Sequence, residues 1–154
     1  MSPGVMDGVR VLEVAIYAFA PAAGAVLADW GADVVKVEHP EVGDPLRGLV
    51  AYGVKPGDGG VTYLWEVLNR GKRSIGIDIA SDDGRELLLS LCEGADVFLT
   101  NFLAPARRRL GIDADAVTAR NPRIIYARGP ATAPRDRTPT RAATTVSRSG
   151  PAPA

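Results

Sequence analysis

Val9-Arg10-Val11-Leu12-Glu13-Val14, an alanine-rich stretch closed by Trp30-Gly31, and then Asp33-Val34-Val35-Lys36-Val37-Glu38 form the run that decides the fold. The first six residues are apolar except for Arg10 and Glu13. The last six carry Val34, Val35 and Val37, whose branched side chains suit a pleated, buried ribbon. Between them Pro21 suits the first turn of a helix, where its missing N–H costs no hydrogen bond. Ala22, Val26, Leu27 and Trp30 continue that helix at helical spacing, and Gly31 ends it just past the last turn. Strand, helix and strand in this order make a βαβ unit, which predicts a parallel, doubly wound sheet.

The chain beyond repeats the alternation. Residues 40–60 hold six glycines and three prolines and read as a long surface loop. Residues 61–68 form a helical turn or two. Residues 74–79 alternate Ile75, Ile77 and Ile79, a strand pattern. Ser81, with Asp82, Asp83 and Glu86, starts a helix, its acidic groups set against the positive end of the dipole. Leu87, Leu88, Leu91 and Cys92 supply that helix with an apolar face. Residues 95–100 form another buried strand with Asn101 at its carboxyl end, and a short basic helix carries Arg107, Arg108 and Arg109. Asp113 caps a further helix ending before Asn121-Pro122, and residues 123–127 are the last strand. The fold class is α/β: a Rossmann-like parallel sheet with helices on both faces, over residues 1–129.

Residues 130–154 change character, with five prolines, six alanines, five threonines and four arginines, and Val146 as the one aliphatic residue larger than alanine. Such a segment buries too little apolar surface to offset its ordering entropy, and disorder is expected.

Lysine plus arginine equals aspartate plus glutamate at 18 each, so no global field recruits nucleic acid or an acidic membrane. One cysteine, Cys92, excludes an intramolecular disulfide and agrees with a reducing cytoplasm. The first fourteen residues lack the basic region and apolar run of a signal peptide. The apolar stretch 15–26 is too short to span a bilayer. With one cysteine and one histidine, no zinc site of the usual ligands can form, and no metal is expected.

In open α/β sheets ligands bind beyond the carboxyl ends of the strands. Residues 15–17, Glu38-His39, and Asn101 with the arginines after it lie there. Arg70, Lys72 and Arg73 add cations just ahead of a strand; taken alone they read as a solvated charge run, and with the other groups they offer the dispersed cations that a ligand with several phosphates requires. His39, the single histidine, stands in a loop with no serine or cysteine nucleophile motif in the chain, so a surface or ligand-contact role is expected of it rather than catalysis. Cys92 is expected to be buried and inert. Glu38 and Asp44 are the carboxylates nearest the site, with a strand-end hydrogen bond and loop capping as their expected roles. A dinucleotide site needs Gly-x-Gly-x-x-Gly after the first strand, and here that turn reads Ala15-Ile16-Tyr17-Ala18-Phe19-Ala20. NAD and the Walker phosphate loop are set aside.

Three pieces in order are Gly31-Ala32-Asp33-Val34-Val35-Lys36-Val37-Glu38-His39-Pro40, Gly43-Asp44-Pro45-Leu46-Arg47 and Leu68-Asn69-Arg70-Gly71-Lys72-Arg73-Ser74. Ala95-Asp96-Val97, Thr100-Asn101-Phe102, Arg109-Leu110-Gly111 and Asn121-Pro122-Arg123-Ile124-Ile125-Tyr126 follow. The combination resembles the amino-terminal domain of class III CoA-transferases (the CaiB/BaiF type), a family that includes formyl-CoA and carnitine CoA-transferases and α-methylacyl-CoA racemases. The likeness runs from Val9 to about Gly129.

The resemblance implies binding of CoA or acyl-CoA through its adenosine diphosphate part, with contacts at Ala15, Ile16, Tyr17, Ala18, His39, Leu68, Lys72, Asn101, Phe102 and Arg109. Where many members read Asn-Phe-Arg-Pro-Gly, this chain has Asn101-Phe102-Leu103-Ala104-Pro105, which removes a cation. Family transferases act through an aspartate that forms an acyl anhydride and then a CoA thioester. That segment lies downstream of anything matched here, as do the racemases' catalytic groups. Family chains are longer and fold as interlocked homodimers with a second domain. The expectation is an amino-terminal CoA-binding part of an acyl-CoA:carboxylate CoA-transferase, inactive alone, incomplete relative to the two-domain fold. The alternatives are a racemase-type fragment or a non-catalytic CoA- or nucleotide-binding module pairing with a second chain. The tail 130–154 fits the family's continuation translated out of frame.

Overall fold

The computed structural model describes residues 4–52 and 62–129. The tail 130–154, and with it the expected disorder and the out-of-frame reading, lies outside the described residues, as does part of the long loop. Five strands, β1 (Arg10–Val14), β2 (Asp33–Glu38), β3 (Arg73–Gly76), β4 (Val97–Thr100) and β5 (Ile125–Arg128), form one sheet in the order β3-β2-β1-β4-β5. Every neighbouring pair is parallel. The α/β class and the parallel sheet read from the sequence are those observed.

Among the described residues five helices connect the strands: α1 (Phe19–Asp29), α2 (Tyr63–Asn69), α3 (Asp82–Glu93), α4 (Ala104–Leu110) and α5 (Ala114–Arg120). Period-two alternation along each strand sends side chains to opposite faces of the sheet. Val11, Ala15, Val34 and Leu99 pack with Ala20 of α1 on one face. Leu12, Val14, Val37, Phe98 and Tyr126 pack with Leu88 and Cys92 of α3 and Val117 of α5 on the other. This second cluster is the larger core. The rings of Phe98 and Tyr126 stack with centroids 5.2 Å apart, and the Tyr126 hydroxyl donates to the Ile112 carbonyl at 2.7 Å. Each fully buried Phe98, Leu88 or Ile124 side chain contributes about 1.5–3 kcal/mol by leaving water.

The helix signals act as read. Ser81 Oγ accepts from the Gly84 N–H and caps α3; Asp113 Oδ1 accepts from the Ala116 N–H and caps α5. Gly31 follows α1 at φ 102°, a conformation that only glycine adopts cheaply.

Local pattern misplaces some edges. α1 begins at Phe19, two residues before Pro21, which lies in the first turn as expected, where no intrahelical donor is required. Val26, Trp30 and Leu87, expected on apolar inner faces, are substantially exposed at 39%, 53% and 48%, because Ala25, Leu88 and Cys92 fill the positions against the sheet. The strand expected over 74–79 is β3, residues 73–76. The chain leaves this sheet edge after Gly76, with only the Ile77 N–H still bonded to the Glu38 carbonyl. The loop after Pro40 holds a 3-10 stretch, Pro45–Tyr52. Among the described residues, no helix is long and apolar enough to cross a membrane, and no group of three histidine, cysteine or acidic side chains could hold a metal ion.

Candidate functional site

The strand order reverses direction at β1, since β2 follows on one side and β4 lies on the other. Beyond the carboxyl ends of strands at such a switch point an open α/β sheet leaves a crevice. Here it is a cleft of about 210 Å³. Ala15 and Ile16 from the β1–α1 turn form one wall, with His39 after β2 and Phe102 and Leu110 after β4 around it. Val37, Ile77 and Ile79 make its lining largely apolar, while Asp78 and His39 provide polar atoms. A second, more open recess of about 350 Å³ shares Glu38, His39 and Gly43 with the first and adds Arg47 and Ser74. His39 thus stands at the junction of an apolar slot and a polar trough. Its Nδ1 accepts from the Glu41 N–H at 3.2 Å, and its Nε2 lies 4.0 Å from Asp78 Oδ1. This geometry suits a flat heterocycle with polar substituents. No nucleophile–base pair is present among the lining residues.

The turn at the cleft wall is fixed unusually tightly. Tyr17 is the one non-glycine among the described residues with positive φ, at 63°, a conformation that costs a bulky residue about 1–2 kcal/mol. Asn101 clamps the residue before it on both sides: Oδ1 accepts from the Ile16 N–H at 3.1 Å, and Nδ2 donates to the Ile16 carbonyl at 2.7 Å. Asp44 holds Tyr17 itself, its Oδ1 accepting from the Tyr17 N–H at 3.0 Å and from the Leu46 N–H at 2.9 Å.

Beneath the turn lies a chain of buried charges on the α1 face of the sheet. Lys36 Nζ, 1% exposed, contacts Asp44 Oδ2 at 2.9 Å and Glu13 Oε1 at 3.2 Å, and donates to the Ala15 carbonyl at 2.8 Å. Lys72 Nζ contacts Glu13 Oε2 at 2.8 Å and donates to the Pro21 carbonyl at 2.8 Å and Asn69 Oδ1 at 3.1 Å. Burial pushes the Glu13 carboxyl above its usual value, against the pull of Lys36 and Lys72. It pushes the Lys72 ammonium below its usual value, against the pull of Glu13. Two cations alternate with two anions here, and Glu13 Oε2 and Asp44 Oδ2, buried without a hydrogen-bond partner among the described residues, are compensated by the Lys72 and Lys36 ammonium groups at 2.8 and 2.9 Å.

Glu38 organises the neighbouring trough. Its carboxylate accepts from Arg47 Nε at 2.8 Å, Arg47 Nη2 at 2.9 Å, Ser74 Oγ at 2.8 Å and the Asp44 N–H at 3.0 Å. Burial works to raise this carboxyl, but the hydrogen bonds from Arg47, Ser74 and Asp44 together outweigh it and hold the group below its usual value. The Arg47 guanidinium also stacks 3.6 Å from the Trp65 ring centre on α2.

Of the residues singled out in the sequence, Ala15, Ile16, His39 and Phe102 line the cleft together. Tyr17 and Ala18 continue the same turn and are exposed. Asn101 spends both ends of its amide on Ile16, and Lys72 is buried in the ion network, so both shape the wall from behind. Leu68 is half-buried on α2, outside the cleft lining, and Arg109 is exposed on α4 beside Leu110. Arg70 and Arg73, read as a solvated charge run or as phosphate-binding cations, form exposed pairs with Asp29 and Asp33. These partners sit at the end of α1 and the start of β2, so both arginines face the amino end of the sheet. Arg107 is buried and donates to the Phe102 carbonyl, leaving Arg108 and Arg109 as the exposed pair on α4.

Glu13, Lys36 and Trp65 escaped the sequence reading, and Asp44 and Glu38 do more than cap a loop and close a strand end. A signal existed: a charged residue at an inward position of a buried parallel strand is anomalous, and β1 carries Glu13 while β2 carries Lys36 and Glu38. The register sets Glu13 opposite Lys36.

The family model for CoA-transferase family III matches residues 6–152. A succinate–glutarate CoA-transferase of Agrobacterium fabrum is 40% identical over 124 residues, which are 79% of this chain and 31% of that protein. A succinyl-CoA–D-citramalate CoA-transferase of Chloroflexus aurantiacus is 38% identical over 126 residues, 82% of this chain and 30% of that one. Among solved structures, a CAIB/BAIF family protein from Brucella suis superposes with a TM-score of 0.73 at 37% identity, covering 82% of this chain and 33% of its own. The chain thus spans about a third of the length of the relatives it matches. The sequence match and the shared sheet agree, and the chain belongs to CoA-transferase family III.

Proposed function

We propose that this chain is the CoA-binding, amino-terminal part of an acyl-CoA:carboxylate CoA-transferase and that it does not turn over substrate alone. The observation that carries this reading is the apolar cleft at the switch point, walled by Ala15, Ile16, His39 and Phe102, in a chain of this family. The adenine ring enters between Phe102 and the Ile77–Ile79 segment. His39 contacts its polar edge, the turn 15–18 approaches the pyrophosphate through its backbone, and the exposed Arg109 of α4 is the cation available to a phosphate. Leu68, Lys72 and Asn101 support the site from α2 and from behind the turn. Transfer requires a carboxylate that forms the acyl anhydride and then the thioester, and no described carboxylate in the cleft wall pairs with a site for an acyl group. In this reading the protein acts in the cytoplasm and completes its site with the remaining family segment and a second subunit.

The test is calorimetric titration of the 154-residue chain with CoA, beside a CoA-exchange assay between succinyl-CoA and glutarate. Saturable CoA binding without exchange is expected, with a stability gain of about 2.7 kcal/mol at a hundred times Kd. Absence of binding at millimolar CoA refutes the site, and robust exchange refutes the inactivity.

A further inference from the structure

We infer that Asp44, anchored by Lys36, is a positioning residue for the ligand: it holds the β1–α1 turn in the one backbone conformation that presents Ala15 and Ile16 to the cleft. This inference rests on the reading of the cleft as the CoA site.

The turn is a strained object with identifiable restraints. Tyr17 at φ 63° would relax toward negative φ if released, and its peptide N–H would swing away. Asn101 restrains Ile16 only; the Tyr17 N–H has Asp44 Oδ1 as its partner at 3.0 Å. Asp44 is 2% exposed, and its other oxygen is held 2.9 Å from Lys36 Nζ, so the carboxylate cannot rotate away without breaking a buried ion pair. Lys36 in turn holds the Ala15 carbonyl at 2.8 Å, and Lys72 holds the Pro21 carbonyl at 2.8 Å in the first turn of α1. The buried charges therefore grip the backbone at both ends of the turn and at its middle. A purely structural account of Asp44 would need only its Leu46 N–H bond, which caps the 3-10 stretch. The aim of the second lone pair at a left-handed Tyr17 is what ties Asp44 to the cleft wall.

Strain supplies the test. In the full 154-residue chain, D44A should weaken CoA binding about tenfold, the equilibrium equivalent of losing the hold on one left-handed residue. Glycine has no preference against positive φ, so in a Y17G background the same D44A change should cost less than about twofold, a coupling read directly by the double-mutant cycle. Tyr17 itself stands at the site, so Y17G shifts the baseline, and only the difference between the two D44A effects is read. The conservative D44N, which keeps an acceptor for the Tyr17 N–H, should retain more affinity than D44A. Hydrogen exchange should report loss of protection at the Tyr17 amide in D44A while the β1 and β4 amides stay protected. Equal losses of affinity in both backgrounds, or an unchanged Tyr17 amide in D44A, overturn the positioning role while leaving the CoA site standing. Failure of the parent chain to bind CoA removes the site and this role together. If D44A does not fold, D44N in the two backgrounds carries the comparison, with a smaller coupling of the same sign.

Discussion

Replacing Lys36 by methionine removes one ammonium from the buried chain and keeps the stem that fills the space under Trp65. The consequence can be worked from the partners. Lys36 is 1% exposed and touches Asp44 at 2.9 Å, Glu13 at 3.2 Å and the Ala15 carbonyl at 2.8 Å. After the change Glu13 still has Lys72 at 2.8 Å, and Asp44 keeps the amides of Tyr17 and Leu46 but has lost its cation. Breaking a buried pair costs about 3–5 kcal/mol, and the retained partners place Lys36→Met near the lower end, about 3 kcal/mol. In a chain of 154 residues that lowers the melting temperature by about 6–12 °C. Urea denaturation followed by circular dichroism measures it. The pH dependence adds a second constraint. Burial already raises the Glu13 carboxyl above 4.5, with Lys36 among the groups that oppose this. Without Lys36 it rises further, and a carboxyl raised in the folded state loses stability as pH climbs through its folded value. The deficit of the variant should therefore be largest near neutrality and shrink toward pH 4.5. A loss below about 1 kcal/mol, the scale of an exposed ion pair, would refute the view that these charges are desolvated and interdependent.

Glu38 is held below its usual 4.5, so the stability it contributes is complete above that value and falls away as pH drops through the lowered folded value; denaturation at pH 3 to 6 should show a slope that Glu38→Gln flattens. Gly24→Ala improves helix propensity, yet a Cβ there would sit 1.9 Å from Glu13 Oε2 and 3.2 Å from Lys72 Cε, so a net loss of about 1–3 kcal/mol is expected from equilibrium unfolding. Burial pushes the Cys92 thiol up to about 12, so iodoacetamide at pH 8 should leave it unmodified in the native chain and label it once urea unfolds the protein, as mass spectrometry would show.

The parts of this protein that the sequence determined by itself are those written in local pattern. Val34, Val35 and Val37 mark a buried strand, Gly31 stops a helix, and Ser81 and Asp113 cap the helices that begin right after them by accepting from the N–H three residues on. Strand and helix alternation then leads to the parallel sheet and points to the crevice beyond its carboxyl end, which is why Ala15, Ile16 and His39 could be named together; Phe102 was named through the family resemblance. Tertiary structure alone decided which charges face one another. Lys72 meets Glu13 across 59 residues of chain and Asn101 meets Ile16 across 85, separations at which no periodicity carries information. Lys72 and Arg73 are adjacent in sequence, yet one is buried in the ion network under α1 and the other pairs with Asp33 at the opposite end of the sheet. A strand sends successive side chains to opposite faces, and burial, not composition, then determines whether a cation serves a ligand or the fold.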